Sequence, residues 1–383
     1  MPNSDVYTQA IRSGLAIWYT VDASLNGTPV AGATGLRPSG GSITDTTKPG
    51  VRRTLNLELP PTPGLFDALS PIGTTLTVTA HVRLTNYQVI DIPMGVFDVD
   101  VEKIREGGGG ISLTAPDWWA KIQRYRFLSP VPSGTSMTVV DQIKDLVLGA
   151  IDWAGDFNIL TSSTAMTPAL VWEKDRAQAI IDLATSIGCW VYFDRNGIPT
   201  IADIPTSGGS ADWLVDASAS GVLTELDRER SRTNTYNVVV VSSSATDGER
   251  FPPQYVFDND PASPTYAGTD PIFAPGSAGP FGIVSYFYDT PILANQGEAW
   301  AAGLAILSRV SGLASQVSLG QVPNPAIDAF DTLDVMPPRE RYDIPRVLER
   351  HVVDTVTHPL NVETAAQQID GRSTRTEEIV GGS

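Results

Sequence analysis

Any chemistry in this chain would have to run through a short list of residues: three histidines, one cysteine, an adjacent tryptophan pair and 43 carboxylates. His81, His351 and His358 stand in no His-Glu-x-x-His or His-x-His spacing, so the sequence writes no zinc cage. Cys189, within Gly188-Cys-Trp-Val-Tyr-Phe193, reads as a buried, inert thiol; alone, it allows neither an intrachain disulfide nor a Cys-x-x-Cys site. Gly-x-Ser-x-Gly is absent, and sequence alone places no serine beside a histidine. Gly107 to Gly110 is followed by neither Lys-Ser/Thr nor a helix start, which makes it a hairpin tip and not a phosphate cradle. Asp258-Asn-Asp260 has the acidity of a calcium loop, but Pro261 and the missing glycine and distal glutamate break the EF-hand pattern and leave a turn. Trp118-Trp119, after Asp117, could stack on bases or sugars and reads more simply as core packing. A glycosidase carboxylate pair is compatible with so many acids but is not indicated by any of them. No catalytic residue, metal ligand or cofactor is expected.

The elements that would carry these residues are mostly short strands. Leu15 to Val21, Thr54 to Leu59, Thr74 to Val82, Gln88 to Val101 and Gly110 to Ala115 read as strands. In Thr74 to Val82 the apolar Leu76, Val78, Ala80 and Val82 share one face at period two. Helical spacing appears at Val140, Ile143, Val147 and Ile151, with Thr138 and Asp141 placed as a capping box. A second helix carries Ile180, Leu183, Ala184 and Ile187, and Gly188 is placed to end it. Asn196-Gly197 then predicts a hairpin. Tyr236 to Val241 is a β-branched strand, residues 243–285 a long excursion rich in Pro, Gly, Ser and Asp, and 293–311 a helix ended by Gly312. Strands return at Ala314 to Leu319, Thr332 to Val335 and Val347 to Val356, and the last residues read as a polar arm.

The composition agrees with this pattern. In 383 residues, 42% are apolar and 18% charged, the balance of a folded protein long enough for two to four domains. Its 34 glycines and 29 prolines are scattered, so turns are frequent and elements short. A net charge of −17 repels phosphate, and the short basic clusters Lys48 to Arg53 and Arg228 to Arg232 do not reverse that. The N-terminal residues lack a signal-peptide pattern, and no stretch is long and apolar enough to span a membrane, so synthesis in a cytoplasm is expected.

Thr75-Leu-Thr-Val78 before Asp91-Ile-Pro93 parallels Thr332-Leu-Asp-Val335 before Asp343-Ile-Pro345, which suggests a duplicated β unit. The expected fold is mainly β with an α+β insert, in which two related β-barrel-like domains flank a small α+β domain. The expected boundaries are 1–126 for the first β domain and 127–225 for the α+β domain. The second β domain, with its loop 243–285 and helix 293–311, takes 226–360, and 361–383 forms the arm.

Four further segments carry a resemblance: Ser42-Ile-Thr-Asp45, Val51-Arg-Arg-Thr-Leu-Asn-Leu57, Leu69-Ser-Pro-Ile-Gly73 and Ile92-Pro-Met-Gly-Val-Phe97. They resemble the N-terminal region of minor tail proteins of actinobacterial phages. Asp117, Tyr236-Asn-Val-Val-Val240, the helix near Ala299 to Leu307 and Val322-Pro-Asn-Pro325 before Asp331 extend the likeness to the tail-hub family related to baseplate hubs of contractile phages. Residues 243–285 match nothing in that pattern. The resemblance implies a structural virion protein at the tail tip, a homotrimer whose duplicated barrels form a pseudo-hexameric ring. Such a ring would join a hexameric tail tube or distal tail ring to a threefold central fibre, spike or tape-measure protein, and DNA would pass through without specific binding. Arg52, Arg53, Arg228, Arg230 and Arg232 are the expected interface residues. The alternatives are a tail-associated cell-wall glycan hydrolase and a carbohydrate- or receptor-binding tail module.

Overall fold

The computed structural model describes residues 5–12, 16–104, 109–134, 136–204, 211–230, 232–233, 235–243, 251–272, 274–290, 293, 295–311, 315–338, 347–361 and 365–379. Strand outweighs helix, 42% to 16%, so the molecule is mainly β as expected, and among the described residues its sheets stay open, none closing into a barrel.

The alternation in Thr74–Arg83 does what its period dictates: Leu76, Val78, Ala80 and Val82 are fully buried, and the residues between them face outward. This strand is central in a four-stranded antiparallel sheet ordered Thr28–Pro29, Ala16–Leu25, Thr74–Arg83, Val89–Asp98. The inner face packs on a ten-stranded sheet. Its main path runs Leu223–Arg230, Ser315–Gln321, Gln367–Ile379, Val347–Pro359, Gly40–Thr46, Arg53–Leu59, Ile111–Pro116, Val101–Ile104. Thr332–Met336 pairs with Val347–Pro359, and Trp213–Asp216 pairs in parallel with Thr332–Met336. One core fills the space between the two sheets, drawing Tyr19 and Leu76 from the smaller and Leu57, Leu319, Val353 and Ile369 from the larger. Strands from both ends of the chain are neighbours here, since Gly40–Thr46 lies against Val347–Pro359.

A second core belongs to the α+β region. Helices Val139–Leu148 and Arg176–Ser186 pack on the sheet Asn158–Leu160, Pro199–Asp203, Cys189–Phe193. The first begins where its cap predicts, with Thr138 accepting the Asp141 N–H, and the second is capped by Asp175, which accepts the Gln178 N–H. Gly188, at φ 70°, carries the chain out of the second. The hairpin at Asn196-Gly197 is present, with Asp194 accepting the N–H groups of Asn196 and Ile198 and Gly197 at φ 75°.

Three expectations need correction. The C-terminal arm is a strand, Gln367–Ile379, paired on both sides within the large sheet; its buried positions include Gln367 and Gly371, so no apolar period marked it. The excursion 243–285 contains the strand Gln254–Phe257 and runs into Ser285–Thr290. These two flank Val238–Ser243 and pack under the helix Gln296–Val310. Gln88 to Val101 divides into Val89–Asp98 and Val101–Ile104, and the two halves join different sheets. The Gly107–Gly110 tip, Gly312 and the second copy of the repeat at 343–345 lie wholly or partly outside the described residues.

Candidate functional site: a buried ionic junction

A dense cluster of charge lies inside the molecule. Asp45, near the end of Gly40–Thr46, pairs in register with Arg53 across the turn 47–52. Arg52 Nε donates to Asp45 Oδ1 at 2.7 Å, and Arg53 Nη2 donates to Asp45 Oδ2 at 3.1 Å and to Asp328 Oδ1 at 2.9 Å. From the hairpin of the α+β region, Arg195 Nε donates to Asp328 Oδ2 at 2.7 Å, and its Nη2 to the Ile327 carbonyl at 2.8 Å. Arg53 Nη1 returns the contact by donating to the Phe193 carbonyl. Three stretches distant in sequence, the 45–53 turn, the 193–199 hairpin and the 324–331 loop, are therefore tied by one set of charge-assisted bonds.

Each charge is met on several sides. The Arg52 guanidinium lies over the Trp190 and Tyr192 rings, at 4.8 and 4.5 Å from their centroids. Burial works against its charge; Asp45 and Asp328 outweigh burial, and it holds its proton more tightly than a free arginine. Burial likewise opposes the Asp328 carboxylate, and Arg195, Arg53 and Arg52 overcome it, holding it well below the usual carboxylate range. Asp117 is the opposite case. It accepts the backbone N–H groups of Arg52, Arg53 and Trp119, yet burial pushes it up to about 6. Asp331 accepts the Asp328 N–H and Trp213 Nε1–H, and burial together with the neighbouring Asp328 charge raises it to about 7. His358 is fully enclosed, accepts from Gln367 Nε2 at Nδ1, and is pushed down to about 4 by burial and by Arg195. The groups satisfy one another, so the arrangement joins parts of the chain and presents no reactive group to a substrate.

The interface role expected of Arg52 and Arg53 gives way to this interior one. At 5% and 3% exposure they face their own chain's carboxylates. Sequence reading missed the junction because the strand carrying Asp45 was not recognised and Asp328 lies 275 residues from Arg53. Arg228 is half exposed and bonds Glu349 through two nitrogens, at 2.9 and 3.3 Å. Arg232 is exposed, and the Arg230 side chain lies outside the described residues.

One constellation looks like chemistry and was not legible in sequence. His81 Nδ1 lies 2.6 Å from Asp91 Oδ1 and its Nε2 2.8 Å from Thr20 Oγ1, a hydroxyl–imidazole–carboxylate row on three adjacent strands. Trp18 stacks on the imidazole at 5.4 Å. Thr74–Arg83 is paired with a strand on either side, so the row runs across the outer face of the sheet. The row acts as a cross-strand clasp. Trp119 is core, 1% exposed, and Trp118 packs edge-on against Trp153 and Phe193, so the pair offers no free stacking platform. Asp258 accepts the Ser263 and Thr265 hydroxyls within a turn. Among the described residues, no group of three or more His, Cys, Asp or Glu side chains is placed to hold a metal, and no helix is long and apolar enough to cross a membrane.

No protein-family model matches the chain, and no curated protein does. Solved structures do. A tail protein from Neisseria meningitidis superposes with a TM-score of 0.59 at 12% identity, over 93% of this chain and 97% of that one. A 43 kDa prophage tail protein from Shewanella oneidensis gives 0.55 at 11% identity, over 93% and 98%. A prophage tail protein from Listeria monocytogenes gives 0.52 at 11% identity, over 93% and 94%. Over 93% of its length the chain thus has the fold of phage tail proteins, and the resemblance read from its sequence is met at the level of fold.

Proposed function

We propose that this chain is a structural subunit of a phage tail, a hub at the tail tip. The observation that carries the reading is the end-to-end coverage, in which nearly all of this chain superposes on nearly all of a tail protein. A junction that locks three distant stretches together with buried charge suits a part that transmits load and must not flex. On this reading the subunit forms a homotrimer. It joins the hexameric tail tube or distal tail ring to a central fibre, spike or tape-measure protein, and lines a channel through which DNA passes unbound. The net charge of −17 supports a lumen that does not hold DNA. The division at 126 and 225, with the two outer regions as duplicates, belongs to the same proposal, as do Arg228, Arg230 and Arg232 as subunit contacts. The protein is made in the host cytoplasm and ends in the virion.

Native mass by light scattering, on the chain alone and mixed with the neighbouring tail proteins, tests the proposal. A trimer, alone or with a partner, is expected. A monomer that binds no tail protein would end the reading.

A further inference from the structure

Leu223–Arg230 terminates the ten-stranded sheet, so among the described residues one side of its backbone has no strand beside it. Its sequence, Leu-Thr-Glu-Leu-Asp-Arg-Glu-Arg, puts Glu225, Asp227 and Glu229 at period two on a single face, and all three are exposed. That face continues across the sheet. Asp227 lies opposite Ser318, Ser318 opposite Asp370, and Asp370 opposite Thr355. The concave surface so formed is an open cleft of about 900 Å³, closed on its far side by the turn through Thr47 and Lys48. Three nearby arginines are already committed: Arg228 to Glu349, Arg372 to Asp354 and Arg350 to Asp334. Among the described residues no ion pair reaches Glu225, Asp227, Glu229 or Asp370, and Lys48 is the remaining cation of the lining.

A charged edge can simply guard a sheet against unwanted pairing. A guard needs no cleft behind it, and it has no need to keep its acids unpaired while the two arginines of the cleft lining, Arg228 and Arg372, are neutralised. We propose that this edge accepts an extended segment of another protein as an added strand, one that carries lysine or arginine at alternate positions. The unpaired backbone of Leu223–Arg230 would supply the main-chain bonds, and the acidic row would select the side chains, since cross-strand partners stand close enough for opposite charges to pair. This inference stands on the edge and the cleft and does not depend on the tail-hub reading.

The test uses a fluorescein-labelled peptide alternating lysine and threonine, titrated by anisotropy at physiological salt, with amide hydrogen exchange of the complex as a second readout. Binding is expected, with slowed exchange within 223–230. The triple variant Glu225→Gln/Asp227→Asn/Glu229→Gln is expected to bind about tenfold more weakly. A control triple that removes as much charge from other exposed sites, Glu58→Gln/Asp67→Asn/Glu173→Gln, is expected to bind as the parent does. Absent binding, equal loss in the two triples, or unchanged exchange within 223–230 would each overturn the proposal.

Discussion

Arg195 and Asp328 are 133 residues apart in sequence and 2.7 Å apart in space, and their bond fastens the α+β region to the 324–331 loop of the β body. Arg195 is buried and the Asp328 side chain is only 15% exposed, so the consequence of breaking it is large. Arg195→Met leaves Asp328 facing only Arg53 and Arg52 and should cost roughly 3 to 5 kcal/mol in urea unfolding. A loss under about 1 kcal/mol would show that the hairpin is held by packing alone.

Asp331 gives the opposite sign. Its carboxyl is raised to about 7 in the fold, against about 3.9 for an unfolded chain. The folded state therefore prefers the proton; this contribution to stability is complete below about pH 4 and is lost as pH rises through 7. Asp331→Asn should be more stable than the parent at pH 8, by on the order of 1 kcal/mol, and should show a flatter profile between pH 4 and 7. Thermal midpoints across that range decide it, and parallel profiles would count against the assignment.

His358 is lowered to about 4 by burial and by Arg195. The fold favours its neutral form, so its contribution is present above the unfolded value near 6.5 and is lost as pH falls through about 4. The His358 ring signals followed by NMR should still be those of a neutral imidazole at pH 5. If they titrate near 6.5, the enclosure of His358 is wrong.

Gly95 sits at φ 148°, and a Cβ there would run into the Phe97 ring. Gly95→Ala should cost roughly 1 to 3 kcal/mol, from backbone strain and a displaced buried ring together. Gly64→Ala, where φ is 74° but the space is open, separates the two causes and should cost less.

The sequence was most legible where local signals and burial agree. Thr74–Arg83 announced itself by alternation, and the helix after Thr138 by its cap. Gly40–Thr46 and Gln367–Ile379 did not, because they hold their places with glycine, glutamine, threonine and aspartate, and the apolar period is missing. The junction was hidden for another reason. Arg52 and Arg53 look like any exposed basic pair until the chain brings Asp328 to them, and no local window contains both. The His81 row failed to show in the same way, since Thr20 and Asp91 reach it only through strand register.

The pairing of Gly40–Thr46 with Val347–Pro359 sets an order of events during synthesis. Thr44 and Thr357 are 313 residues apart. A ribosome adding about 5 to 20 residues per second needs roughly 15 to 60 s between them. For that interval the early strand waits with one side bare, and only Val347–Pro359, made long afterwards, covers it.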